Sequence, residues 1–206
     1  MFGWFNKEIK SLEDLQGLTM RIPSLGGEVF RRAGGVPVTM QVSEVFTALQ
    51  TGALDATEFV SPYNDLAAGY HTVAEYYYYP GWHEPGSTLE TIFNKEKFES
   101  LPKDLQEILM AGTEIMNQLL LDELMARNND ALRVLVEEHG VQLRKLPNDV
   151  LTELHRISED VVVEMSSVDE QTARVYESWK NFRDNVINYN RIAEEAFIEA
   201  RNLPLN

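Results

Sequence analysis

The sequence predicts an α/β protein with a parallel sheet, followed by a largely helical second half. Three observations lead there. Short β-rich runs alternate with helical stretches between residues 18 and 60, the rhythm of a parallel sheet with crossover helices. Hydrophobic residues make up 44% of the 206, enough for a core in one ordinary domain or two small lobes. From Leu101 onward apolar residues recur at three- and four-residue spacing, the mark of amphipathic helices.

LTMRI, around Arg21, reads as a short strand. GGEVFRRAGG is a helix that stops at Gly34-Gly35, and VPVTM is a second strand. Ser43 is placed to cap EVFTALQTG and Gly52 to close it. LDATEFV is a third strand, and SPYNDLAAGYH is turn-rich. AEYYYYP has high β propensity and ends at Pro80, and STLETIFNK reads as another strand. Here the chain is expected to leave one sheet and visit another. Pro102 stands at a helix start. Leu105, Ile108, Leu109, Met116, Leu119 and Leu120 then share one helical face, and the pattern runs to Gly140. A helix of roughly 35 residues would be ~50 Å long, more than a small domain needs. VQLRKLP is a brief strand, and Pro147 opens the helix NDVLTELHRISEDVVVEM. A last helix covers about Glu170 to Ala200, with Val175, Trp179, Phe182, Val186, Tyr189 and Ile192 on one stripe. Such a stripe is read as core, or as a partner-binding face if exposed.

The formal net charge of −15 argues against nucleic acid and anionic lipid as partners, because the long-range field repels both. It leaves open a local site in which one arginine or a bound cation reverses the potential. There is no cysteine, which suits an oxidising periplasm as well as a cytosol. No apolar run approaches the ~18 residues of a membrane span. The opening MFGWFNKEIK lacks the basic stretch and apolar run of a signal peptide.

Few residues carry candidate chemistry. Arg21, in its strand, approaches the carboxyl edge where such sheets gather ligands, and its planar fork suits a carboxylate. It also fits a solvent-facing or structurally paired arginine. Glu58 ends the third strand beside Phe59, and Glu84 follows the tyrosine strand beside Trp82 and His83. The two acids could share a hard cation or act as an acid/base pair, or be separate surface acids. With no cysteine and no second histidine at ligand spacing, a zinc site is not expected. SLGGE could receive an anion at a helix start, though a plain turn fits it too. Alternate members of YYYY face opposite sides of a strand, so two could fill a core and two line a cleft.

Several strings together resemble one family. SLEDLQGLTMRIPSLGGEVFRRAGGVPV, SEVFTALQTGALDATEFVSPYNDLAAGYH, YYYYPGWHEPG, ESLPKDLQEIL and SWKNFRDNVINYN are similar to the solute-binding proteins of TRAP transporters, in the DctP-type branch that binds 2-oxo acids. The resemblance implies a periplasmic-binding-protein architecture: two α/β lobes, a cleft between them and a long helix across both. It implies residues 1–60 as the first part of the second lobe and 61–101 as a crossover contributing strands to the first lobe. Residues 102–140 would be the lobe-spanning helix, and 141–206 the return to the second lobe with C-terminal dimerisation helices. It further implies that Arg21 binds the ligand carboxylate, that Trp82 lines the pocket and that Asn64 adds a polar contact. Glu58, the backbone carbonyl of Phe59 and Glu84 would hold a bridging Na+ or Ca2+. Relatives look to carry tryptophan where this chain has Phe59.

The implied function is capture of a small carboxylate, a 2-oxo or 2-hydroxy acid, for delivery to a membrane permease, with no bond made or broken. Family members are usually longer, with a signal peptide and a complete first lobe upstream. The chain is therefore expected to be a fragment, the C-terminal two-thirds or so, of a periplasmic protein. Loss of the first lobe is expected to leave unpaired strand edges within residues 61–94 and to drive self-association. Two other classes compete: a carboxylate-pair enzyme using Glu58 and Glu84, without an accompanying nucleophile or cofactor motif, and an assembly module that binds nothing.

Overall fold

The alternation of residues 18–60 is realised as β2 (Thr19–Arg21), α1 (Ser24–Arg32), β3 (Val36–Val38), α2 (Val42–Thr51) and β4 (Ala56–Thr57). This computed structural model describes residues 1–86 and 89–204. It comprises two units, Met1–Ile157 and Ser158–Asn206. In the first, β2 pairs in parallel with β3 and β4, placing Arg21 opposite Thr57. Gly52 closes α2 at φ 74°, a left-handed conformation that glycine adopts without Cβ strain. Ser43 is not the cap: α2 starts at Val42, two residues earlier than that cap implies, with Gln41 as its N-cap and no side-chain capping bond.

The sheet has six strands in the order β3-β2-β4-β1-β5-β6, completed by β1 (Gly3–Phe5), β5 (Tyr76–Tyr79) and β6 (Gln142–Lys145). It is mixed rather than parallel, because β1 runs antiparallel to both β4 and β5. Three residues give no readable alternation, which is why β1 escaped the pattern. Gly3 lets β1 lie close to β4: at its φ of 151°, a Cβ would stand 2.2 Å from the Thr57 carbonyl oxygen. Strand β5 sits between β1 and β6, so the expected unpaired edge in this segment is not found there.

The tyrosine run does not divide by alternation. Tyr77 and Tyr78, adjacent and therefore on opposite faces, are both fully buried, while Tyr79 is exposed. An interior strand is covered on both faces. Tyr77 stacks on Trp4 with ring centroids 4.1 Å apart, and Tyr78 meets Phe5 edge-on at 5.1 Å. Trp4 and Tyr77 join Leu49, Leu54, Tyr70 and Leu135 in one core cluster.

SPYNDLAAGYH is not a run of turns. Pro62–Ala68 forms α3, with proline in the first turn and Gly69 at its C-terminal end. The predicted strand STLETIFNK is also absent. Ser87 and Thr88 lie outside the described residues, Leu89 to Asn94 form no regular element, and Asn94 caps a short helix α4 (Lys95–Glu99) by accepting from the Lys97 amide. The long helix α5 (Lys103–Arg133) continues through a π-helical turn at Val134–Glu138. It packs on α3, where the Tyr63 amide donates to Asn128 Oδ1 at 3.0 Å. Leu105, Ile108, Leu109, Met116, Leu119 and Leu120 are all exposed. Helix α6 (Asn148–Ser166) follows β6.

In the second unit α7 (Glu170–Asn190) runs through a π-helical turn into α8 (Ala196–Arg201). Its stripe is not core: Val175, Trp179, Phe182, Tyr189 and Ile192 are exposed. Arg183 lies 4.7 Å over the Trp179 ring and donates to Glu159 at 2.8 Å. No helix among the described residues is long and apolar enough to cross a membrane.

Candidate cation and carboxylate site

The parallel pairing of β2 with β4 creates the site. Glu58, one residue beyond β4, donates its amide to the Arg21 carbonyl at 3.1 Å, so both side chains leave adjacent strand ends. Arg21 Nη1 donates to Glu58 Oε1. The pair is inside the protein, with side-chain exposures of 17% for Arg21 and 6% for Glu58. The second oxygen of Glu58 stands 3.9 Å from His83 Nε2. Donor atoms of Glu58, His83 and Glu84 all lie within 4.8 Å of one another.

The segment carrying His83 and Glu84 leaves β5 through the cis Tyr79–Pro80 bond. Trp82 packs against Phe2 at 5.8 Å and His83 at 5.3 Å. Its buried indole N–H and the buried Nδ1 of His83 have no hydrogen-bond partner among the described residues. Phe59 turns its ring edge-on to Tyr70 at 5.2 Å. Asn64, on α3, accepts from the Ser61 hydroxyl at 3.0 Å rather than touching the acids. Asp65, also on α3, is buried, and burial pushes its carboxyl above the usual range against the pull of the Tyr77 and Trp4 donors.

Arg21, Glu58 and Glu84 are thus brought together, with Trp82 flanking them. His83 is the member that spacing missed. With no second histidine at ligand spacing it does not read as a metal ligand, although its place between Trp82 and Glu84 is a signal. Two carboxylates converging beside an arginine suit a hard, oxygen-seeking cation next to an anion.

A separate cavity of about 450 Å³ is lined by His71, Glu75, His139 and Val141 among others. The rings of His71 and His139 are 4.2 Å apart. Burial lowers the His71 imidazole below its ordinary value, and His139 lowers it further.

Residues 1–168 match the family described as bacterial extracellular solute-binding protein, family 7, or DctP. The chain belongs to this family. It is 41% identical over 197 residues to a monocarboxylate 2-oxoacid-binding periplasmic protein of Nostoc sp., covering 96% of this chain and 54% of that protein. Solved TRAP solute-binding proteins share the fold. The one from Pseudoalteromonas atlantica, with bound sodium and pyruvate, gives a TM-score of 0.89 at 35% identity over 96% of this chain and 60% of that one. The one from Colwellia psychrerythraea, with calcium and pyruvate, gives 0.89 at 34% identity with the same coverage. The one from Bordetella bronchiseptica, a mixed-occupancy dimer with calcium and picolinate, gives 0.92 at 34% identity over 98% of this chain and 60% of that one. The chain thus spans little more than half the length of these relatives, and its mixed α/β architecture is part of a two-lobed binding-protein fold.

Proposed function

We propose that this chain is the carboxylate-capturing part of a TRAP solute-binding protein. It takes a small 2-oxo or 2-hydroxy monocarboxylate such as pyruvate, together with Na+ or Ca2+, for delivery to a membrane permease. The convergence of Arg21, Glu58, His83 and Glu84 carries this reading. The ligands of the similar proteins support the substrate class. Pyruvate and picolinate each carry a second donor atom beside the carboxylate, so each can chelate a metal.

In the structure Arg21 and Glu58 neutralise each other. Glu58, the Phe59 carbonyl and Glu84 would hold the cation, whose positive charge would let an anion rest among carboxylates. Glu58, so engaged, would release the guanidinium. Arg21 then turns its two parallel donors to the ligand carboxylate. Trp82 offers a flat apolar wall and an indole N–H without an acceptor among the described residues, and Asn64 adds a polar contact from α3. These residues bind and orient, and no bond is made or broken. The family name and the periplasmic relatives support a periplasmic setting for the whole protein. The exposed stripe from Val175 to Ile192 supports a homodimer through the C-terminal helices.

Titration calorimetry with pyruvate, lactate and longer 2-oxo acids, with and without Na+ or Ca2+, tests the reading. Cation-dependent binding with the ligand recovered intact is expected. Turnover of the ligand, or equal affinity in a chelator, overturns it.

A further inference from the structure

We infer that Asp65 is a positioning residue for the main-chain oxygen of Phe59. The inference deepens the reading above and rests on it. The Asp65 side chain accepts four hydrogen bonds at a residue only 1% exposed. Oδ1 takes the backbone amides of Val60 at 3.2 Å and Ser61 at 3.1 Å. Oδ2 takes the Trp4 indole N–H at 3.0 Å and the Tyr77 hydroxyl at 2.6 Å. One oxygen thus holds the turn after β4. The other is anchored to the stacked Trp4–Tyr77 pair of two neighbouring strands.

The geometry of the peptide group converts this anchor into a direction. The Phe59–Val60 peptide is trans, since the one cis bond among the described residues is Tyr79–Pro80. In a planar trans peptide the C=O and N–H point in opposite directions. The Val60 N–H is aimed at Asp65, so the Phe59 C=O points away from it. On the other side of Phe59, the carbonyl of the Glu58–Phe59 peptide accepts from the Thr57 hydroxyl at 2.8 Å. Phe59 is therefore held at both flanking peptides, and its oxygen has one orientation. No protein donor among the described residues occupies that oxygen. A carboxylate serves here because it is acceptor-only and presents enough lone pairs for four donors. An amide at the same position has one oxygen and one NH2 group. The NH2 group opposes either the backbone amides or the Trp4 N–H.

The test measures Ca2+ affinity by calorimetry for the wild-type chain, Asp65→Asn, Tyr77→Phe and a control, Val150→Ala. Val150 is fully buried in α6, so the control lowers stability without touching the turn. Supporting groups behind metal ligands typically matter by roughly ten- to a hundredfold in affinity. Asp65→Asn is expected to weaken Ca2+ binding by about that factor. Tyr77→Phe leaves three of the four donors and is expected to weaken it less. The control is expected to keep wild-type affinity despite a lower melting temperature. Amide hydrogen exchange at Val60 should accelerate in Asp65→Asn but not in the control. Unchanged Ca2+ affinity in Asp65→Asn, or an equal loss in the control, overturns the role of Asp65 alone. A wild-type chain that binds neither Ca2+ nor Na+ in the presence of pyruvate overturns the site and this role together.

Discussion

Replacing Arg21 by methionine separates charge pairing from packing. The change keeps the apolar stem and removes the guanidinium. Glu58, with its side chain 6% exposed, is then left inside the protein with His83 Nε2 at 3.9 Å. Breaking a buried ion pair from one side costs about 3–5 kcal/mol. Arg21 is itself 17% exposed, so water reaches part of the pair and the lower end, ~3 kcal/mol, applies. For a chain of this size each kcal/mol moves the melting temperature by roughly 2–4 °C. A fall of about 6–12 °C is therefore expected for Arg21→Met, read by circular dichroism in chelator. The double change Arg21→Met with Glu58→Gln removes the orphaned charge and should recover at least half of the loss. Added calcium should raise the melting temperature of the single variant more than that of the wild type, because no guanidinium then competes for Glu58. If the single variant melts within about 2 °C of the wild type, or the double variant melts below the single, the pair does not hold the site as argued.

The remaining expectations concern other parts of the molecule. His71 has a folded-state pKa below its ordinary value, first through burial and then through His139. The folded chain thus binds fewer protons than the unfolded one, and stability is lost as pH falls through about 6.5. Melting curves between pH 8 and 5.5 should show that loss, and His71→Gln should flatten it; an identical slope in the variant refutes the assignment. Gly3→Ala would push a Cβ to 2.2 Å from the Thr57 oxygen and should cost about 3 kcal/mol or more in urea unfolding. An unchanged midpoint means that β1 and β4 separate freely. Phe182→Glu, on the exposed α7 stripe, should turn a self-associated wild type into a monomer by light scattering. A wild type that is already monomeric at micromolar concentration rules out that use of the stripe.

The elements legible in the sequence were those with long or strongly punctuated patterns. Helices α5, α6 and α7 announced themselves through many apolar repeats, and α2 through Gly52. The site was legible as separate candidates, because Arg21, Glu58 and Glu84 each stand at a strand end or just beyond one. What joined them was the register that sets Arg21 opposite Thr57, and nothing local in either strand specifies a register. His83 stayed hidden for the same reason, since its partner Glu58 is distant in sequence. β1 is three residues long, too short for any periodicity. Apolar pattern also did not reveal exposure. The α7 stripe reads as core or as a partner-binding face, and spacing alone does not choose, because burial depends on what else packs against it.

The placement of β1 also bears on how the molecule is made. Trp4 takes Thr57 on one side and Tyr77 on the other, and β5 in turn takes Leu143. During synthesis the middle of the sheet leaves the ribosome long before either neighbour exists. Its three residues wait unpaired, and the last pairing depends on a segment beyond the longest helix. Ring closures of that span are slow, so assembly of this protein should be limited by the encounter of distant strands, while its helices form early and locally.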